Sequence, residues 1–584
     1  MKVKLKPALV SLLAISILAT STPAQAGNDT SWIPKDSNYW DPTVHSFAFA
    51  DNLPLPFQYS VLQGDSFPDI FICKSTSDPF CAQSQILNYN SILKVCSTSA
   101  DTNCVAEVSS IDAAGNPNPG KFFKYTVNNH LNSFPADPVA GIPAGDMPSI
   151  WSIPSAPHAS GSDYAIVAGL NGNVDRSGHE TVIGNFMQLS LIPVVLKDFG
   201  KGKNSQDGGW TAPLPGIYYD YCTEFQQTDH NKNVNCGHVN GESCLFPTND
   251  QGMCYAEEAF GDSQRFNVKV KLAKEPTGWM HGRMVDPVIS ITPGSAGGVN
   301  LSVTAGATAV PMLYQTAAWA SLPSSVQNLW VDCFKDQRFC GWSVTRGSGA
   351  TSAFNELGQT LEGNAKVNLL TFVHAFGTLP LKVMSAVAPL VGDKSNLLSS
   401  TWSMRTLSNM EMNGSNKCFT NTPGLKGIVT TNSTAYSAGP PEFKDGSLNY
   451  QVSSPHFSPD GKTPFKGNYN LVMRSDVARC IYGFSNAPIK ASISVLSSDG
   501  NNDVSTTVAA EKDGWLSLSA NNFQFSAPII QVKLSQDKPA VVTQSTAVAP
   551  KVSNKQVTVT CIKGKTSKKV TAAKPVCPKG YVKK

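Results

Sequence analysis

Apolar and polar residues alternate along much of this chain. The clearest runs are "RFNVKVKL" (265–272), "SLSANNFQF" (517–525) and "IIQVKL" (529–534). A period of two marks strands with one face buried. Strands of this kind, separated by turn residues about every 8–12 positions, predict immunoglobulin-like β-sandwich domains. The expected fold is mainly β, with sandwiches at 146–305 and 399–535, a helical connector between them, and disulfide staples.

Several segments recur in the same order. "SIWSIPS" (149–155) matches "STWSMRT" (400–406), and "YAIVAGLNG" (164–172) matches "KGIVTTNST" (426–434). "PGIYYDY" (215–221) matches "KGNYNLV" (466–472), and "NDQGMCYAEEAF" (249–260) shares Asp-x-x-x-Cys with "SDVARCIYGF" (475–484). "FNVKVKLAKEPTGW" (266–279) parallels "ASISVL" followed by "AEKDGW", and "DPVISITP" (286–293) parallels "APIIQVKL" (527–534). The shared order predicts that the second sandwich repeats the first. Trp151 with Trp402, and Trp279 with Trp515, occupy matched positions and are expected in the cores.

The period changes between the sandwiches. "SSVQNLWVDCF" (324–334) opens as a capped helix, and Phe354, Leu357 and Leu361 share one helical face. Residues 306–398 are therefore the expected helical connector. Its apolar stretch "AKVNLLTFVHAFGTLPLKVMSAVAPLV" is broken by Lys366, His374, Pro380, Lys382 and Pro389, which argues against a membrane span. Before the first sandwich, "FPDIFICKSTSDPFC" (67–81) and "NSILKVCSTSADTNC" (90–104) repeat a strand, a Ser/Thr-rich bend and a closing cysteine. They define an N-terminal β-rich domain at 27–145.

The start of the chain fixes the expected compartment. "MKVKLKPALVSLLAISILATSTPAQA" has three lysines, a short apolar run and a small-x-small ending, which predicts a signal peptide at 1–26. Fourteen cysteines in an exported chain read as disulfides rather than metal ligands. The expected pairs are Cys73–Cys81, Cys96–Cys104, Cys236–Cys244, Cys222–Cys254, Cys333–Cys340, Cys418–Cys480 and Cys561–Cys577. Within 222–254, sequential pairing stays open.

Catalytic signatures are sparse. No G-x-S-x-G or H-E-x-x-H is present, and Ser348, His374 and Asp332 form the nearest approach to a hydrolase triad. Glu257 and Glu258 adjoin, so on a strand they face opposite ways. The inserted loop "YCTEFQQTDHNKNVNCGHVNGESC" carries Asp229, Asn231 and Asn233 at alternate positions, as a calcium loop does. However, Val234 and Asn240 stand where that loop needs Gly and Glu. Cys222, His230, Cys236, His238 and Cys244 are a zinc set only if their thiols stay reduced. Trp210 and Tyr218 are the candidate exposed aromatics for stacking on a sugar ring. No cofactor is expected.

Charge is unevenly placed. Residues 551–584 contain ten lysines and no acid, whereas residues 27–550 hold 33 basic and 42 acidic residues. The overall +4 thus conceals an acidic body with a basic tail (556–584) beyond a linker (536–555) poor in large apolar residues. The tail reads "TCIKGKTSKKVT…KPVCPKGY". It resembles a C-terminal element of uncharacterised secreted and cell-surface proteins of actinobacteria, through Thr560, Cys561, Lys563–Lys565, Lys568–Thr571, Lys574–Pro578, Gly580 and Tyr581. "MRSDVARCIYGFSNAPI" and "GIVTTNSTAYSAGPP" resemble segments of the same group, so the likeness covers about 170 residues. The resemblance implies an envelope location and no particular activity.

The sequence therefore predicts a non-enzymatic binding or surface-display protein, held to an anionic envelope polymer by Lys563, Lys565, Lys568, Lys569, Lys574 and Lys579. Its sandwiches would take a glycan or a surface protein, with neither nucleic acid nor a transmembrane anchor. The alternatives are an extracellular hydrolase, with its site near 222–254 or the connector, and a structural surface-layer protein.

Overall fold

In the computed structural model, strands with alternating burial assemble into one large sheet flanked by smaller ones. The structure describes residues 60–66, 69–127, 133–176, 186–198, 253–318, 376–412, 414–420, 424–496, 506–525, 529–536 and 556–584, with short segments at 25–26, 44–49, 220–222, 236–238, 244–248, 321–325, 327–328, 369–372 and 502–503. The chain divides into two compact units, Met1–Ser535 and Gln536–Lys584.

The large sheet of the first unit has fifteen strands, eleven of them on one path. Across that path they are Thr506–Lys512, Trp515–Gln524, Lys466–Arg474, Leu425–Thr431, Gly278–Arg283, Ser403–Thr406, Phe186–Asp198, Asp163–Asp175, Ile86–Ile92, Val61–Ser66 and Asp69–Ile72. Gly278–Arg283 is central: it pairs antiparallel with Ser403–Thr406 and parallel with Leu425–Thr431.

Successive residues of these strands enter different cores, as the two-residue period requires. Ile428, Val472, Met280, Met404 and Leu189 join one buried cluster. Its other wall is Phe266, Val268 and Val270 of Arg265–Leu272, with Leu301 and Val303 of Val299–Gly306. Val429, Leu471 and Met473 point the other way, into a cluster shared with Leu448, Tyr450, Ile493, Ile530 and Val532. Val477, Ala478 and Ile481 add the buried side of the helix Ser475–Tyr482 to that second cluster.

Pairing runs across the boundaries drawn from the sequence. Cys104–Ile111 pairs with Arg265–Leu272, Ile86–Ile92 with Asp163–Asp175, and Phe186–Asp198 with Ser403–Thr406. Trp151 and Trp402, expected in separate cores, share one cluster; Trp279 lies in the other, and Trp515 is half-buried against the first. Part of the expected helical connector is strand: Thr308–Ala318 pairs with Val44–Phe49 and Leu397–Thr401. Helix does follow at Thr378–Val387. The matched Asp-x-x-x-Cys segments take different forms, the strand Met253–Glu257 and the helix Ser475–Tyr482.

Disulfides join Cys73–Cys81, Cys96–Cys104, Cys418–Cys480 and Cys561–Cys577. Cys254 is also disulfide-bonded. The backbone register sets Cys222 opposite Cys236. The expected pairs Cys222–Cys254, Cys236–Cys244 and Cys333–Cys340 depend on side chains outside the described residues.

Candidate functional site

The C-terminal unit is built from very little. Val557–Lys563 lies between Thr566–Ala572 and Val582–Lys583 in a three-stranded sheet. Gly564 takes φ +58° in the tight turn between Lys563 and Thr566, while Lys565 keeps a negative φ. That is the pattern of a II′ hairpin turn with glycine in its first central position. Among the unit's described residues the buried hydrophobic side chains are Val559 and Cys561. With so small a core, the Cys561–Cys577 bridge, spanning 16 residues, contributes about 3 kcal/mol by restricting the unfolded chain.

Lysines cover this module on every side. Lys563, Lys565, Lys568, Lys569, Lys574 and Lys579 are all exposed, as are Lys583 and Lys584. Cys561 stands opposite Lys568 on one neighbouring strand and Lys583 on the other, so both flank the disulfide. Alternation puts Lys563 and Lys568 on the disulfide face and Lys569 on the reverse. With no acid in 551–584, this charge is not neutralised within the segment.

The first unit contains a different polar constellation, which sequence reasoning missed. On the large sheet, Gln188, Arg405 and His281 are cross-strand neighbours, and Ser190, Ser403 and Arg283 form the adjoining row. All six are buried. The signal lay in "WMHGRMV" and "WSMRT", where basic residues alternate with methionines that face the apolar core.

Arg405 makes a two-pronged bond to Glu411, Nη1 to Oε2 at 2.7 Å and Nη2 to Oε1 at 2.6 Å. Glu411 also accepts from the Ser408 amide, and its own amide bonds Ser408 Oγ, closing a capping box on the short helix Asn409–Met412. Burial opposes ionisation of Glu411, but the Arg405 guanidinium and Ser408 outweigh it and hold the carboxyl below its ordinary value. Burial likewise works against the Arg405 charge, and Glu411 overcomes it. Arg283 donates Nη1 to the Thr431 and Ser433 carbonyls, each at 2.8 Å. The Tyr436 ring covers the layer, stacked 4.0 Å from His281, with the Arg283 guanidinium 4.6 Å from its centroid.

A serine, a histidine and a carboxylate also meet at His158, Ser160 and Glu258. The arrangement is not a hydrolase relay. Ser160 Oγ donates to Glu258, and His158 Nδ1 lies 2.7 Å from the same carboxylate. His158 Nε2, which a serine nucleophile would need as its base, faces the Asp163 carbonyl at 3.0 Å. The cluster ties a loop to the end of a strand. Burial raises the Glu258 pKa, but Ser160 and His158 together bring it below the ordinary value.

Several expected site residues, Trp210, Tyr218, Asp229, Asn231 and Asn233, lie outside the described residues, as do Ser348, His374 and Asp332. Among the described residues no group of three or more His, Cys, Asp or Glu side chains is placed to hold a metal ion. No described helix is long and apolar enough to cross a membrane. Comparison with protein-family models, with curated proteins and with solved structures gives no match for this chain.

Proposed function

We propose that the chain is an exported, envelope-associated binding or display protein, held to an anionic polymer by its C-terminal module. The observation that carries this reading is the module's exposed lysines on both sheet faces and the hairpin turn, in a segment without acids. A globular partner docks against one face of a small domain; cations distributed all round suit a flexible polyanion that wraps it. Each lysine near an anionic surface contributes roughly 1 kcal/mol, less as salt screens beyond a Debye length of about 8–10 Å.

The signal-peptide pattern and the likeness to actinobacterial surface proteins support the same location. The acidic balance of residues 27–550 disfavours nucleic acid and leaves glycans or neighbouring surface proteins as partners of the body. The two clusters on opposite faces of the large sheet favour a pair of β-sandwiches sharing a central sheet.

Fractionation of cells expressing the intact chain and a chain ending at residue 550 tests the anchoring. The intact form is expected in the envelope and the shortened form in the medium. Equal distribution of the two would refute the anchoring role.

A further inference from the structure

The sequence has four aspartyl-prolyl bonds, after Asp41, Asp78, Asp137 and Asp286, and the structure describes the last three. Asp78 has φ −55° and ψ 136°, and its carboxylate caps a helix through the Phe80 amide. The Asp137 carboxylate is filled by Thr76 Oγ1 at 2.6 Å and by the Val139 and Ala140 amides at 3.0 Å. Asp286 is different. It takes φ +47°, in the left-handed region, although proline pushes the residue before it towards extended backbone. Such a conformation costs about 1–3 kcal/mol and persists only where the surroundings impose it.

The pairing of Val285–Pro293 with Val299–Gly306 slips between Val285 and Val288, so Asp286 and Pro287 bulge from the ladder. Gly306 stands between Val285 and Arg265 on the neighbouring strands. A Cβ there would lie 2.6 Å from a Val285 methyl and 3.7 Å from Arg265 Cγ, so glycine leaves the arginine a path across the strand. Arg265 Nη2 donates to the Asp286 carbonyl oxygen at 3.1 Å. Asn521 Nδ2 donates to Asp286 Oδ1 at 3.3 Å, and among the described residues no hydrogen bond engages Oδ2.

We propose that Asp286–Pro287 is a self-cleavage site, at which the Asp286 carboxyl cuts its own peptide bond once. Oδ2 of the carboxylic acid bonds to the Asp286 carbonyl carbon and closes a five-membered anhydride. The C–N bond to Pro287 breaks, and the carboxyl proton passes to the proline nitrogen. Water then opens the anhydride to two carboxyls. Proline has no N–H, so the competing attack of the next backbone nitrogen on the side chain is absent. Arg265 stabilises the negative charge that develops on the carbonyl oxygen, and Asn521 positions the carboxyl. The fragments stay assembled, because Gly278–Arg283 remains paired with Ser403–Thr406 and Leu425–Thr431, and Arg265–Leu272 with Val299–Gly306. The reaction is independent of the C-terminal module and of the function proposed for it.

The test incubates the purified intact protein in mildly acidic buffer, with and without urea, and identifies fragments by denaturing electrophoresis and mass spectrometry. Two variants accompany it. Asp286→Gly removes the carboxyl and suits the positive φ, and Arg265→Met keeps the apolar stem without the donors. The proposal expects the folded protein to yield fragments ending at Asp286 and beginning at Pro287, with the bonds after Asp78 and Asp137 intact. Asp286→Gly should yield neither fragment, and Arg265→Met should slow the cut by about a hundredfold, the typical loss for one oxyanion donor. In urea the preference for Asp286–Pro287 should vanish. A folded protein that stays whole, or that breaks after Asp286 no faster than in urea, overturns the proposal. Cleavage that persists at this position in Asp286→Gly also overturns it and assigns the cut to a contaminating protease.

Discussion

At the residue scale, the most exacting arrangement in the molecule is the Arg405–Glu411 pair. Two opposite charges are removed from water and are tolerable only because every short contact is filled. Glu411→Gln should therefore cost about 3–5 kcal/mol, read from urea unfolding midpoints near neutral pH. The pH dependence has a definite sign. Because the Glu411 carboxyl is held below its ordinary 4.5, its contribution is full above that value and disappears as pH falls through the lowered one. Stability should thus decline in acid below about pH 4.5, and that decline should be shallower in Glu411→Gln. A parallel decline in both proteins would place the acid sensitivity elsewhere, with Glu258 the next carboxyl to substitute.

At the element scale, strands were legible wherever one face is buried, because alternation follows directly from the pleat. "RFNVKVKL" is such a strand, with Phe266, Val268, Val270 and Leu272 buried. The strand Thr308–Ala318 was not legible: residues 310–313 are buried in succession, so both faces are covered and the period vanishes. Nor could local pattern pair Gly278–Arg283 with Leu425–Thr431, some 150 positions away, which is why a continuous sheet replaces the expected succession of domains. The buried layer escaped notice for a related reason, since Arg283 and Ser403 become neighbours only through that pairing. Glycine shows how tightly these strands meet: a Cβ on Gly427 would come within 2.5 Å of the Val472 carbonyl oxygen and 2.8 Å of the Trp279 ring. Gly427→Ala should lower stability by about 1–3 kcal/mol in denaturant titration.

The C-terminal module makes the opposite case, an element with almost no core. Replacing Cys561 and Cys577 with serine should unfold it while leaving the main unfolding transition unchanged, because it is a compact unit of its own. Loss of dispersed amide resonances for 556–584 alone would establish this. A lowered Tm for the body would contradict it.

At the scale of the whole molecule, a formal charge of +4 describes neither part of the chain. Residues 27–550 carry a net −9 and residues 551–584 a net +10. Opposite charges in two units suit a protein whose body stays clear of an anionic polymer while its end is held to it. The tail's charge and its Cys561–Cys577 bridge were legible in the sequence; which lysines share the disulfide face was not, because that depends on the register of Cys561 with Lys568 and Lys583. Co-sedimentation of purified 27–584 and 27–550 with isolated cell walls across a salt series tests this account most directly. The account predicts that only the longer protein binds and that salt releases it progressively, as screening of exposed lysines requires. Equal, salt-resistant binding by both proteins would contradict it and assign the wall contact to the body.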